Sequence, residues 1–348
     1  MHLDDIFLKV RKMFIPITEF KDKIKLYGRC AMADDKINLE WNGSGFEICF
    51  KGDSIRVFFE KENAGETIYI RCEIDGKVQK VAISNSKEVF VADNLNDGIH
   101  SFKLLRLNEY YSPCDTVNVT GVDIGTKDCL NILQLTKKHR KRIDFYGDSI
   151  TNGWHVYAEP DYESDMHCNC YNDYSASYAY LTANAFNANA YVCAVSGHGI
   201  ISTWDGDRSK PMKMFYEMKS RSMPIKMDFS DKPDLIVVAL GTNDWAAGVP
   251  EDQLKCGIRD FIKMLRSDAL NTKIIWMYGM INDGYMVMMQ ELFADLKNND
   301  INIDFLPITP MKAEDNEVGG TGHPNKNGQR RIANELINYI NKKGILAG

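Results

Sequence analysis

The chain of 348 residues lacks several features that mark special classes of protein. It has no run near the roughly 18 apolar residues that a transmembrane helix needs, so we expect no membrane partner. It has no excess of basic residues, because its net charge is −6, and this disfavours a nucleic-acid partner. It also shows no low-complexity segment and no internal repeat. What is left is a globular chain, long enough for two domains.

Two further absences bear on location and metal binding. The first residues lack an apolar signal core, because Lys9, Arg11 and Lys12 interrupt it. The nine cysteines are scattered in mostly apolar contexts, which favours reduced thiols over a disulfide framework. Both observations predict a cytoplasmic protein. Residues 167–170 (His-Cys-Asn-Cys) lack the second Cys/His pair of a tetrahedral site, so we predict no metal and no cofactor.

The first half of the chain has the periodicity of strands. Between about residues 27 and 135, short segments such as residues 54–59 alternate apolar and polar side chains, which is typical of strands with one buried face. The step Asp75-Gly76 between two such segments predicts a hairpin. We therefore predict a β-sandwich of the jelly-roll type over residues 1–138.

The second half, residues 139–348, alternates apolar strands with longer helical patterns. Near-continuous apolar strands are typical of a parallel sheet covered by helices on both faces, and here they occupy residues 143–146, 191–195, 235–240 and 274–278. We predict an α/β domain. The basic run at residues 137–142 is interpreted as a solvated linker, with phosphate binding as the alternative.

A serine, a glycine and an asparagine follow three of these strands, each just after its strand ends. Because the carboxyl ends of parallel strands meet at one edge of a sheet, we expect Ser149, Gly197 and Asn243 to lie together. The backbone N–H groups of Ser149 and Gly197 and the Asn243 amide would then supply three donors to an oxyanion. Taken singly, each has a structural interpretation, as a helix cap or a turn glycine.

His323 lies in a glycine-rich loop directly before the terminal helix. At the same edge of the sheet it would serve Ser149 as general base, and later protonate the leaving alcohol. A lone histidine before a helix is more often structural. A fold that already offers a serine and three donors favours the catalytic interpretation.

The blocks around Gly147-Asp148-Ser149, Gly197, Asn243 and His323 resemble, in order and spacing, those of the SGNH hydrolase superfamily. The resemblance implies a flavodoxin-like, three-layer α/β/α hydrolase domain. It also implies that Ser149 is the nucleophile, His323 the base, and Ser149, Gly197 and Asn243 the oxyanion hole.

The sandwich adds a narrower resemblance. Residues 41–47 (WNGSGFE), with residues 147–153 and 195–199, look like carbohydrate esterase family 2, of the acetyl xylan esterase type, over nearly the whole chain. This implies a carbohydrate-binding-like sandwich and a metal-free serine esterase. Its substrate would be an acetylated oligosaccharide, such as a xylo-oligosaccharide, from which it removes O-acetyl groups.

One position departs from the superfamily pattern. SGNH enzymes commonly carry an aspartate three residues before the histidine, where this chain has Gly320. We therefore expect a Ser-His dyad whose histidine is oriented by a backbone carbonyl of residues 319–321. Asp315 or Glu317 is the alternative, as a substitute carboxylate.

Aromatic residues close to the motifs suggest where a sugar would bind. Trp245, Trp154 and Tyr157 are predicted to form a stacking rim, because sugar C–H faces pack on rings; core packing is the alternative for Trp245. Two other functions stay open, a lipase or thioesterase with a wide acyl pocket and a non-catalytic carbohydrate-binding protein. Exposed sandwich surface could support a homo-oligomer, and the sequence names neither the sugar nor the acetylated position.

Overall fold

The computed structural model describes residues 13–33, 35–61, 66–84, 88–135, 140–162 and 169–347, without the side chains of residues 88 and 90. Antiparallel strands fill the first half. They are β1 (Ile15–Pro16), β2 (Lys25–Tyr27), β3 (Ala31–Met32), β4 (Ile37–Leu39), β5 (Gly45–Lys51), β6 (Ile55–Lys61), β7 (Ile68–Ile74), β8 (Lys77–Ile83), β9 (Glu88–Ala92), β10 (Ile99–Arg106), β11 (Val117–Asp123) and β12 (Ile132–Leu133).

These strands form the two sheets of a sandwich. One sheet has the order β3-β4-β11-β6-β9, with β1 beside β11, and the other has the order β12-β5-β10-β7-β8, with β2 beside β5. Their inner faces bury a common core that includes Phe46, Ile70 and Val119. The predicted hairpin joins β7 to β8, with Asp75 and Gly76 both at positive φ as a two-residue turn of this kind requires.

The second half is built on one parallel sheet. Its strands are β13 (Arg142–Gly147), β14 (Asn189–Ala194), β15 (Leu235–Ala239), β16 (Lys273–Tyr278) and β17 (Ile303–Pro307), in the order β14-β13-β15-β16-β17. The helices are α1 (Ser149–Asn152), α2 (Tyr178–Ala185), α3 (Thr242–Ala246), α4 (Glu251–Asp268), α5 (Met286–Asn299) and α6 (Lys326–Lys342). Helices α2 and α6 cover one face and α4 and α5 the other. The predicted three-layer α/β/α domain after a sandwich is therefore confirmed.

Two buried charges of the sandwich hold a loop of the second half. The Arg29 guanidinium donates to three carbonyl oxygens, and the distances are 3.2 Å to Phe215, 2.7 Å to Tyr216 and 3.1 Å to Met218. The Glu40 carboxylate accepts from the Ser220 hydroxyl at 2.8 Å. The loop backbone thus finds its hydrogen-bond partners on the other half of the chain.

Of the remaining predictions, some fall on residues that the structure does not describe, and one is wrong at a single residue. Residues 136–139, where we placed the boundary between the halves and much of the basic run, lie outside the described residues, as do His167 and Cys168. Our expectation of reduced cysteines fails at Cys170, which is disulfide-bonded. Among the described residues, free thiols are found at Cys30, Cys49, Cys72, Cys129, Cys193 and Cys256. No helix in the described ranges is long and apolar enough to cross a membrane.

Candidate active site

Ser149 begins α1 one residue after strand β13, which lies between β14 and β15. The strand order changes direction at β13, and such a switch point opens a crevice at the carboxyl edge of the sheet. Asp148 caps the helix, since its carboxylate accepts from the Ile150 N–H at 3.0 Å. A side chain at Gly147 would lie only 1.9 Å from the Thr151 hydroxyl, so this turn requires glycine. The first N–H groups of a helix have no intrahelical acceptor, which leaves the Ser149 N–H for a ligand.

His323 reaches Ser149 across the edge of the sheet. Its Nε2 lies 2.8 Å from Ser149 Oγ, and its Nδ1 lies 3.1 Å from the carbonyl oxygen of Thr321. Because a carbonyl only accepts, Nδ1 carries the hydrogen and Nε2 presents a lone pair. The Ser149 hydroxyl therefore donates to His323, which is the arrangement that a general base needs.

Burial keeps this imidazole neutral. It lowers the pKa of His323 to about 4, and the backbone hydrogen bond to Thr321 offsets only part of that effect. A histidine with this pKa is unprotonated at neutral pH, so it can accept the Ser149 proton.

The structure brings no carboxylate to His323 Nδ1 among the described residues. An added Cβ at Gly320 would lie 2.6 Å from the Ala158 Cβ, so an aspartate does not fit at that position. The Glu317 carboxylate instead pairs with Arg331 at 2.6 Å, and Asp315 is exposed. The partner on Nδ1 is the carbonyl of Thr321, within the stretch that we favoured from the sequence.

The predicted oxyanion donors converge on the same edge. Gly197 has φ +76°, and a Cβ there would lie 2.8 Å from the Trp204 ring, so glycine is required. The Asn243 amide donates to the Asp148 carboxylate at 3.2 Å and to the His198 carbonyl at 3.0 Å. Asn243 thus joins the segments around Ser149 and Gly197. To bind an oxyanion, the Asn243 amide would donate one of these two hydrogens to the oxyanion as well as to its present acceptor.

Glu109, from the loop after β10 of the sandwich, is a site residue that the sequence did not reveal. It is 4% exposed and accepts from the Ser196 N–H and the Asn152 amide, each at 2.8 Å, and also from the Ser196 hydroxyl. Burial raises the pKa of this carboxyl. Because Ser196 precedes Gly197 and Asn152 belongs to α1, Glu109 ties the two turns of the site to the first half of the chain.

Asp244, next to Asn243, is a second buried carboxylate at the site that the sequence did not reveal. It accepts from the backbone N–H groups of Ile200, Ile201 and Ser202 at 2.8, 2.7 and 3.2 Å. These bonds join the loop after β14 to α3. The relative position of Gly197 and Asn243 is therefore fixed by a buried carboxylate.

The predicted aromatic rim is only partly on the surface. Trp245 is 47% exposed and Tyr157 48%, but Tyr157 lines a cleft of about 560 Å³ whose lining contains neither Ser149 nor His323. Trp154 is 8% exposed and stacks on His155, with the ring centroids 4.7 Å apart, so little of its face is free for a sugar.

Trp204 is an additional aromatic next to the site. It is 55% exposed, and its backbone N–H donates to the Gly197 carbonyl at 2.8 Å. Its ring lies over Gly197. The loop that carries Trp204 has no strand or helix periodicity, so no sequence pattern indicated this placement.

Known proteins resemble both halves of the chain. The sequence model of the GDSL-like lipase/acylhydrolase family matches residues 145–331, and that of the carbohydrate esterase 2 N-terminal domain matches residues 26–131. An acetylxylan esterase / glucomannan deacetylase of Cellvibrio japonicus is 25% identical in an alignment 323 residues long, which covers 88% of this chain and 86% of that protein.

Solved structures of low identity share the fold. An acetyl xylan esterase from Butyrivibrio proteoclasticus has a TM-score of 0.84 and 23% identity, over 96% of this chain and 99% of that one. A family two carbohydrate esterase from Clostridium thermocellum, in complex with cellohexaose, has a TM-score of 0.83 and 22% identity, over 92% and 98%. The chain therefore belongs to the GDSL-like lipase/acylhydrolase family, as an esterase whose sandwich is the N-terminal domain of carbohydrate esterase family 2.

Proposed function

We propose that this esterase releases acetate from acetylated oligosaccharides through a Ser149–His323 dyad. The observation that carries the proposal is the hydrogen bond between Ser149 Oγ and His323 Nε2, with the Thr321 carbonyl on Nδ1. The names of the relatives, acetylxylan esterase and glucomannan deacetylase, support acetylated sugar as the substrate class.

In the first step, Ser149 Oγ attacks the acetyl carbonyl carbon while His323 Nε2 takes the hydroxyl proton. The oxyanion receives hydrogen bonds from the Ser149 and Gly197 N–H groups and the Asn243 amide. When the tetrahedral intermediate collapses, the bond between the acetyl carbon and the sugar oxygen breaks, and His323 protonates the leaving sugar oxygen. The products are a free sugar hydroxyl and an acetyl ester on Ser149.

In the second step, His323 takes a proton from water, which attacks the acetyl-enzyme. When the second tetrahedral intermediate collapses, the bond to Ser149 Oγ breaks and His323 returns the proton to Ser149; acetic acid leaves and ionises to acetate. The Thr321 carbonyl can stabilise the transient imidazolium because it faces Nδ1–H at 3.1 Å. This carbonyl takes the place of the usual carboxylate.

Two exposed indoles are the proposed sugar contacts. Trp204 lies over Gly197 and Trp245 follows the Asn243 block, so both rings lie near the acetyl-binding edge. Rings with a free face can stack on sugar C–H groups. Cytoplasmic location remains our prediction, and in that compartment the enzyme would meet imported oligosaccharides rather than polymer.

The test is acetate release from acetylated xylo-, gluco- and manno-oligosaccharides. We expect Ser149→Ala to lose nearly all activity and Ser267→Ala, on the exposed face of α4, to keep it. Full activity in Ser149→Ala would contradict the mechanism. A series of p-nitrophenyl esters separates the lipase alternative, since we expect a preference for acetate, and rates that rise toward octanoate would favour a lipase.

A further inference from the structure

His155 is a buried histidine beside the dyad that the mechanism above does not use. Its side chain is fully buried, and its backbone adopts the left-handed region with φ +48°. Within the described part of the chain its Nε2 has no hydrogen-bond partner. Its Nδ1 lies 3.0 Å from the hydroxyl oxygen of Thr321.

The direction of this hydrogen bond follows from the other contacts of Thr321. The Thr321 hydroxyl donates its one hydrogen to the Gly320 carbonyl at 2.8 Å. Its oxygen can therefore only accept from His155 Nδ1–H. The same oxygen lies 3.1 Å from His323 Nδ1, so one hydroxyl faces an N–H of each imidazole.

The backbone of Thr321 is strained, and the surrounding contacts hold it. Its φ of 51° and ψ of 32° are left-handed, which is unfavourable for a β-branched residue. The turn is fixed from one side, since the Gly320 N–H donates to the Ala158 carbonyl at 3.1 Å and the Thr321 N–H to the Tyr162 carbonyl at 3.2 Å. His155 belongs to this same segment and is the side chain that reaches the hydroxyl.

We propose that His155 is a positioning residue for the catalytic base. By holding the Thr321 hydroxyl, it fixes the strained turn that aims both the carbonyl and the hydroxyl oxygen of Thr321 at His323 Nδ1. These two oxygens occupy the role of the carboxylate for which Gly320 leaves no room. The inference rests on the dyad of the proposed function, and it assigns His155 no contact with substrate.

Two substitutions at residue 155 separate the hydrogen bond from packing. His155→Phe keeps an aromatic ring against Trp154 and removes the Nδ1 donor. His155→Asn keeps a donor near the position of Nδ1, tolerates positive φ and loses the ring. If the donor matters, Phe lowers kcat by about 10- to 100-fold, as for a misplaced catalytic group, and Asn restores most of it.

The readout is kcat for each reactive serine, counted by burst titration with an organophosphate, together with KM for p-nitrophenyl acetate. We expect kcat to fall and KM to stay nearly constant, because the acetyl pocket is unchanged. A purely structural role would lower the melting temperature and the number of reactive serines, but not kcat per serine.

Thr321 supplies a second pair of variants that keeps the test informative if His155→Phe does not fold. Thr321→Val keeps the β-branch at the strained position and deletes the hydroxyl, whereas Thr321→Ser keeps it. We expect Val to lower kcat at least as much as His155→Phe does, because Val also removes the oxygen that faces His323 Nδ1, and we expect Ser to lower kcat much less. The double variant His155→Phe/Thr321→Val should be no worse than the poorer single variant, because both substitutions remove the same hydrogen bond between His155 and Thr321.

The outcomes distinguish this inference from the dyad itself. Activity retained in Ser149→Ala overturns the proposed function. An inactive Ser149→Ala together with unchanged kcat per serine in His155→Phe or Thr321→Val leaves the dyad standing and overturns the role of His155. Equal losses in His155→Phe and His155→Asn also overturn it, since a retained donor would then have restored none of the lost activity.

Discussion

The carboxylate of Glu109, which links the two halves of the chain, allows a prediction with two variants of different severity. Its three donors are the Ser196 N–H, the Ser196 hydroxyl and the Asn152 amide. Glu109→Leu removes the acceptor of all three donors, of which the Asn152 amide is buried and the two of Ser196 are partly buried, at about 1 to 3 kcal/mol each. Removing the carboxylate also relieves its own desolvation, which is what raises its pKa. We therefore expect a net loss of about 3 to 5 kcal/mol, as found when one partner of a buried polar network is removed.

Glu109→Gln gives the intermediate case. Its amide oxygen can accept from the Ser196 N–H and its NH₂ can donate to the Ser196 hydroxyl oxygen, so the Asn152 amide and the Ser196 hydroxyl hydrogen lose this acceptor. We expect a loss of about 1 to 3 kcal/mol in the free energy of unfolding. Because Ser196 leads into Gly197, kcat should fall in the same order, with wild type first, then Gln, then Leu.

Urea unfolding and steady-state hydrolysis of p-nitrophenyl acetate measure both effects. The matched control is Glu73→Leu, which removes a sandwich carboxylate paired with Arg71 at 3.1 Å on a partly exposed face. Such pairs contribute about 0 to 1 kcal/mol. If Glu109→Leu were as stable and as active as this control, the argument that Glu109 holds the oxyanion turn would be refuted.

Three further predictions concern the dyad, the oxyanion hole and the rim. With the pKa of His323 lowered to about 4, kcat/KM should show an acid limb near pH 4 in a pH–rate profile, and a limb near pH 6.5 would contradict it. Because the folded protein holds His323 neutral, the contribution of His323 to the free energy of unfolding is complete above pH 6.5 and is lost progressively as the pH falls to about 4. Urea unfolding at a series of pH values can check this. Asn243→Ala should lower kcat about 10²- to 10³-fold in steady-state assays, and an unchanged kcat would exclude its amide from the oxyanion hole. Trp204→Ala and Trp245→Ala should each raise KM for acetylated oligosaccharide up to about tenfold with little effect on p-nitrophenyl acetate, and equal effects on both substrates would argue against sugar stacking.

Much of the site could be predicted because its residues share one local rule. Ser149, Gly197 and Asn243 each follow an apolar strand, and parallel strands bring their carboxyl ends together whatever the rest of the chain does. The absence of the usual aspartate, at Gly320, could also be seen directly in the sequence. It pointed to the carbonyl that the structure places on His323 Nδ1.

The residues that escaped prediction act across long distances in the sequence. Glu109 lies 87 residues from Ser196, and nothing in its own segment distinguishes it from an exposed loop carboxylate. Trp204 lies in a loop without periodicity. The burial of Trp154 was missed because packing from Tyr111 and His155, not the local pattern, decides which of its faces is covered.

The buried contacts of Arg29 and Glu40 have a consequence for biosynthesis. The loop at residues 215–222 relies on these two side chains for hydrogen-bond partners. A ribosome makes residues 29 and 40 well before that loop emerges, so a sandwich that has already folded can present both anchors to the nascent hydrolase half. The order of the two halves along the gene thus matches the order in which they are needed, and we expect a permuted gene with the hydrolase half first to yield more aggregated product.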